Sequence, residues 1–288
     1  MKHATASEIT EGEALLFAKE EDFSRRACVR PSFLSFLRSK SVAAILILGS
    51  ISAQLIFGCS FDRISLSEII RAAVKTKKAS VGYDRIPFRF LPKTRRHWEF
   101  FLRITNRQIF GQDQFHHLLQ SSRLVFIKKA CGSLRPISIS SRISALLENA
   151  LLPKFQQLLL KSKNHSSHFG FLYNKNLEQL NSKLIDNIYR KKNKKLVSNL
   201  LMIDLQKAYD CLSIRKALNS IWSLVKNSGD FNKYGIVYQF SIKWAENRVS
   251  YYGREKAVFA RGLPQGSPWS CLAFIAAMGI DHLDFGTD

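Results

Sequence analysis

The sequence predicts an α+β fold, on three observations. Strand-like and helix-like stretches follow one another without regular alternation, which argues against a doubly wound sheet. Two hairpins are punctuated by glycine turns, at Gly132 and Gly253. Several segments repeat apolar residues at helical spacing. Of the 288 residues 46% are apolar, enough to bury one large core or two smaller ones.

The elements are read in chain order. Residues 1–63 form a poorly defined N-terminal extension. Within it, 41–60 is an uncharged run that includes Val42-Ala-Ala-Ile-Leu-Ile-Leu48 and follows Arg38 and Lys40. Its length suits a membrane span, but Gln54 and four serines favour a buried or interfacial helix, with membrane association as the alternative. Ser65-Leu-Ser-Glu68 has capping-box spacing, and Ile69, Ile70, Ala73 and Val74 are expected to share the face of the helix that follows. Arg123–Lys128 and Leu134–Ile139 read as strands joined by a turn at 130–133. Pro136 places the returning strand at a sheet edge. Leu146, Leu147, Ala150, Leu151, Phe155 and Leu158 mark a long amphipathic helix.

Arg190-Lys-Lys-Asn-Lys-Lys195 reads as a basic loop able to touch a phosphate backbone. Leu200–Ile203 reads as a short strand ending at Asp204. A further helix is marked by Ile214, Ala217, Leu218, Ile221, Trp222 and Val225, with Asp210 as a candidate cap at its start. Val249–Tyr252 and Lys256–Phe259 read as a hairpin, and Ser267–Leu283 as one more helix. The expected division is a region at 64–195 and a second at 196–288.

Lys plus Arg total 44 and Asp plus Glu 22, a net charge of +22, and the excess lies almost wholly after residue 60. A domain this positive repels itself unless it meets a polyanion, so nucleic acid is the expected partner. The five cysteines are widely spaced with no C-x-x-C pair. That argues against a disulfide framework or zinc site and favours a reducing intracellular compartment, nucleus or cytoplasm.

Three segments carry chemistry. Leu201-Met-Ile-Asp-Leu-Gln-Lys-Ala-Tyr-Asp210 delivers a carboxylate at the end of an apolar strand, where it can meet a hard cation near solvent. Gly262-Leu-Pro-Gln-Gly-Ser267 is a turn whose glycines let backbone approach a ligand closely, with Ser267 able to cap a helix. Lys129-Ala-Cys-Gly-Ser-Leu-Arg-Pro-Ile137 sets two cations on one hairpin. In this order the three resemble motif A, motif B and the fingers hairpin of reverse transcriptases of the non-LTR retrotransposon and group II intron-like type. Ser80-Val-Gly-Tyr-Asp-Arg-Ile-Pro87 and His168-Phe-Gly-Phe171 resemble two flanking segments of that family. Leu172, Asn176, Leu177 and Trp269-Ser-Cys271 depart from its pattern.

The resemblance implies the fingers and a partial palm of a right-hand polymerase, with an incomplete sheet. It implies RNA-templated DNA synthesis, with RNA template, DNA primer or duplex and dNTPs as partners, and two Mg²⁺ ions (or Mn²⁺) as cofactors. Asp204 takes the catalytic, metal-binding place. Lys129 and Arg135 would hold the triphosphate, and Tyr209 would exclude a 2′-hydroxyl. Gln265 and Gly266 would seat the nascent pair and template, with Arg190, Lys191 and Lys192 on template or primer phosphates. The family's motif C, an aromatic-x-Asp-Asp, has no match, because no Asp-Asp occurs in these residues. Asp281, Asp284 and Asp288 read as surface acids. The chain alone is therefore expected to be inactive. The alternatives are a nucleic-acid-binding remnant of such an enzyme and another palm polymerase, such as an RNA-dependent RNA polymerase. Oligomeric state is left open.

Overall fold

Ser65 opens the fold as its spacing predicts. In the computed structural model its hydroxyl accepts from the Glu68 amide at 3.3 Å, and its own amide donates to Glu68 Oε2 at 2.7 Å. This satisfies the free donors at the start of α1 (Leu66–Thr76). The structure describes residues 61–76, 81–110, 117–130, 132–162, 168–245, 248–258 and 261–279, all within the unit Gly58–Asp288. The apolar run 41–60 and the acids Asp281, Asp284 and Asp288 lie outside the described residues.

The buried stripe of α1 is Ile69, Ala72, Ala73 and Thr76, whereas Ile70 and Val74 are exposed. The expected face is thus corrected by one position. Only one narrow side of α1 meets α4 (Arg142–Lys161), and a step of one residue turns a side chain about 100° away from it. After α2 (Arg95–Phe110) and α3 (His117–Gln120), β1 (Ser121–Lys128) and β2 (Leu134–Ser140) form the expected antiparallel hairpin, with Val125 opposite Ile137 and Ile127 opposite Arg135. The sheet order is β2-β1-β3-β4. β3 (Val249–Tyr252) runs parallel to β1, and β4 (Glu255–Val258) antiparallel to β3. β2 is therefore an edge strand, as Pro136 predicts.

Ser141 caps α4 by accepting from the Ser144 amide at 3.0 Å. All six apolar residues expected on this helix are buried. Arg142, at its start, donates to the carbonyls of Thr76 (2.7 Å) and Ile86 (3.0 Å), tying α1 and the loop after it to the helix. Around α4 pack α8 (Phe231–Ala245) and α9 (Pro268–Ala277), with α7 (Ile214–Asn227) against both. Trp269 is fully buried between Phe155 (4.7 Å between ring centroids) and Phe240 (4.8 Å). One buried cluster thus draws on residues from both sides of position 195.

Three local expectations are corrected. The basic run at 190–195 is mostly helical, the end of α5 (Leu177–Asn193). That helix closes with Lys195 at φ +59°, the Leu196 amide on the Lys191 carbonyl and the Lys195 amide on the Lys192 carbonyl, which is a Schellman arrangement. Leu200–Ile203 joins no ladder among the described residues and is exposed, Met202 at 85%; a strand exists only where a neighbour takes its backbone bonds. Asp210 starts no long helix. It lies in the short α6 (Ala208–Cys211), and Ser213 caps α7 instead, accepting from the Lys216 amide at 3.4 Å. Among the described residues no helix is long and apolar enough to cross a membrane.

Replacing Ser65 by Ala leaves the Glu68–Lys154 ion pair (3.3 Å) in place and removes the cap. The expected loss is about 1 kcal/mol of unfolding free energy, read from urea denaturation.

Candidate active site at the Gln265 turn

Residues 262–266 form the turn that enters α9. Gly262 (φ +80°) and Gly266 (φ +110°) adopt backbone conformations that side chains resist. Space restricts them as well. A Cβ on Gly262 would meet the Asp210 backbone at 2.9 Å, and one on Gly266 the Ser138 carbonyl at 2.9 Å. The turn is therefore pressed between two other segments.

On one side it is laced to residues 209–212. The Gly262 amide donates to the Leu212 carbonyl (2.9 Å), the Leu263 amide to the Tyr209 carbonyl (2.8 Å), and Gln265 Nε2 to Asp210 Oδ1 (3.0 Å). On the other side the Gln265 carbonyl accepts from the Ser138 amide at 2.7 Å, on the open edge of β2. Pro136, two residues earlier, turns its N–H-less nitrogen to that same outer edge, so it breaks no ladder bond.

The hairpin presents the two cations together. Ile127 and Arg135 are partners in the register, and Lys129 follows Ile127 by two residues, so Arg135 and Lys129 share a face of the ribbon. Ile137 lies on that face too, with its Cγ2 beside Gly266. Both cations are exposed. The Tyr209 ring stacks on Phe274 of α9 at 5.1 Å and 15°. Burial, with the Cys271 thiol beside it, pushes the Tyr209 hydroxyl well above the usual phenol range.

A family model described as reverse transcriptase (RNA-dependent DNA polymerase) matches residues 127–280, more than half of the chain. The chain belongs to the reverse transcriptase family. No curated protein matches the chain. The match runs from β1 through α9 and contains every residue just described. Family membership brings the palm-type polymerase fold and reverse transcriptase-like nucleotidyl transfer, with which the mixed α+β architecture agrees.

Of the residues singled out in the sequence, Gln265 and Gly266 touch the hairpin that carries Lys129 and Arg135, and Tyr209 joins the same turn through its carbonyl. Arg190, Lys191 and Lys192 stand exposed at the end of α5, a helix with no buried residue. Asp204 is exposed on the unpaired segment before Tyr209 and has no hydrogen bond or ion pair among the described residues. Reverse transcriptases generally use Mg²⁺. Asp204 suits one hard cation completed by water and phosphate oxygens. Asp210 is engaged by Gln265, and no group of three or more His, Cys, Asp or Glu comes together among the described residues. Among the described residues the donors do not fit a two-ion site.

The sequence reading missed Glu148 and Arg248. Glu148 is 0% exposed on α4, accepting from Ser267 Oγ at 2.7 Å and from Trp244 Nε1 at 3.1 Å. Its signal was an acid set inside an apolar helical stripe. Burial pushes its carboxyl from 4.5 up to about 7, against the pull of these donors. Burial likewise lowers the Arg248 guanidinium to about 10, opposed by the Glu148 charge.

Between pH 4.5 and about 7 the folded chain keeps a proton on Glu148 that the unfolded chain has lost. This group therefore makes stability fall as pH rises through that window, by up to about 3 kcal/mol. Glu148→Gln removes the effect. Its unfolding free energy relative to wild type is expected to climb across the window and level off above it, in urea denaturation at a series of pH values.

Proposed function

We propose that this chain is the reverse transcriptase domain of a retrotransposable element of the non-LTR or group II intron-like type, comprising fingers (64–195) and part of the palm (196–288). What supports this reading is the junction at Gln265. One residue contacts the Tyr209–Asp210 segment through its side chain and the edge of the basic hairpin through its carbonyl. A nucleotide lying in that junction meets groups for each of its parts.

The exposed fork of Arg135 and point charge of Lys129 suit the triphosphate. Tyr209, stacked on Phe274, would in this reading lie under the sugar and exclude a 2′-hydroxyl. Gln265 and Gly266 present a flat, side-chain-poor surface to the nascent base pair and template. The cations at the end of α5 (Arg190, Lys191 and Lys192) add phosphate contacts along the template or primer, and the net charge of +22 draws the RNA–DNA duplex as a whole.

Asp204 is the metal-binding carboxylate in this reading. The two-ion chemistry of nucleotidyl transfer requires further carboxylates than the described residues assemble. The 288-residue chain on its own then acts as a nucleic-acid-binding module without turnover.

Two measurements test this. In a primer-extension assay on an RNA template with Mg²⁺ and dNTPs, the isolated chain is expected to give no product above background; robust cDNA synthesis defeats that part of the reading. The same chain is expected to bind a labelled RNA–DNA duplex with an affinity that falls at least tenfold between about 50 and about 200 mM salt. Failure to bind at the lower salt counts against the site itself.

A further inference from the structure

The turn that carries Gln265 is held at both ends by ionisable side chains from other segments. At its entry, Arg248 Nη2 donates to the Gly262 carbonyl at 2.7 Å. At its exit, Ser267 donates to Glu148 at 2.7 Å while capping α9 through the Ser270 amide at 3.3 Å. Trp244 joins the two groups: its indole N–H donates to Glu148 at 3.1 Å, and its ring lies 4.9 Å beneath the Arg248 guanidinium. The three residues come from α4, α8 and the segment before β3, so they are independent of the turn they hold.

A fully buried carboxylate is costly, and an apolar residue would fill the same place on α4 without that cost. Its bonds from Ser267 and Trp244 run to the end of the turn and to the indole that carries Arg248. This is the arrangement of a part that sets position. We propose that Glu148, together with Arg248, is a positioning residue for the Gln265–Gly266 turn, a buried clamp whose integrity governs how that turn meets the RNA–DNA duplex. The proposal rests on the reading of the turn given under Proposed function.

The groups that face Glu148 explain why glutamine is a sharp probe. Besides Ser267 and Trp244 they are the Ser144 side chain, the Trp269 backbone, the Arg248 charge and the Cys271 thiol. A glutamine offers one acceptor oxygen where two donors point, and it removes the ionisable group opposite Arg248 while keeping the volume.

The test combines exchange with binding. Backbone hydrogen exchange at fixed pH is measured on wild type, Glu148→Gln and, as a second route to the same clamp, Arg248→Met. Amides of 262–267 are expected to exchange about tenfold faster in both variants, while those of β1 and β2 away from Ser138 keep their wild-type rates. Affinity for the labelled duplex is then measured in a cycle of Glu148→Gln, Gln265→Ala and the double variant. Glu148→Gln is expected to weaken binding about tenfold, and to add little once Gln265 is gone.

A merely structural role for Glu148 predicts effects that add in this cycle, and additivity would overturn the link to binding. Unchanged exchange across 262–267 overturns the clamp itself. An unaltered affinity in Gln265→Ala alone overturns instead the reading of the turn as a duplex contact, whatever the exchange shows.

Discussion

The hydrogen bond from the Ser138 amide to the Gln265 carbonyl is the constraint on which the site depends. An edge strand has a row of backbone groups that need partners or water. On β2 one of these groups is answered by the turn that leads into α9. This fixes a loop against a sheet at hydrogen-bond precision, where side-chain packing alone would leave it room to slide. Gly266 is required there because a Cβ would strike the Ser138 carbonyl. Pro136 is tolerated nearby because its missing donor faces the same outer edge. The basic hairpin and the turn thus meet in one close backbone contact.

A second layer of interactions keeps that piece aligned with the helical core. Trp269 anchors α9 between α4 and α8, and its indole donates to Ser241 at 3.2 Å. At the sequence level Trp269 and Cys271 look like departures from the family's motif B continuation. In the fold they are occupied positions: Trp269 fills the centre of the core, and Cys271 lies beside the Tyr209 hydroxyl. The short residues Ser267 and Ser270 bring α9 close to its neighbours, Ser270 Oγ donating to the Pro264 carbonyl at 2.8 Å.

The segment from Leu196 to Leu205 contrasts with all of this. Its apolar side chains are largely exposed and its backbone joins no ladder among the described residues. Asp204 sits within it, so the carboxylate that the family resemblance makes central is the member of the site with the fewest described contacts. Tyr209, a few residues on, is already tied down through its backbone and its stacked ring. The boundary between the two regimes falls at the short helix α6, whose preceding residue, Lys207, is left-handed at φ +51°.

Elements governed by local physics were legible in the sequence. The Ser65–Glu68 box, the hairpin around Gly132, the edge position of Pro136, the long helix through Leu151 and the Ser267 cap each depend on residues within a few positions of one another. The motif strings Gly262–Ser267 and Lys129–Ile137 were legible for the same reason, since turn geometry and strand register are local. What the sequence alone could not supply is which distant groups complete them. Leu200–Ile203 has strand composition yet no strand, because a ladder needs a partner that composition does not name. Ile70 and Val74 have helical spacing yet face outward, because the breadth of the buried stripe is decided by what packs against it. Glu148 was not singled out in the sequence; only the tertiary fold placed Ser267, Trp244 and Arg248 around it, and it is that enclosure, by excluding water, that gives the residue its chemistry.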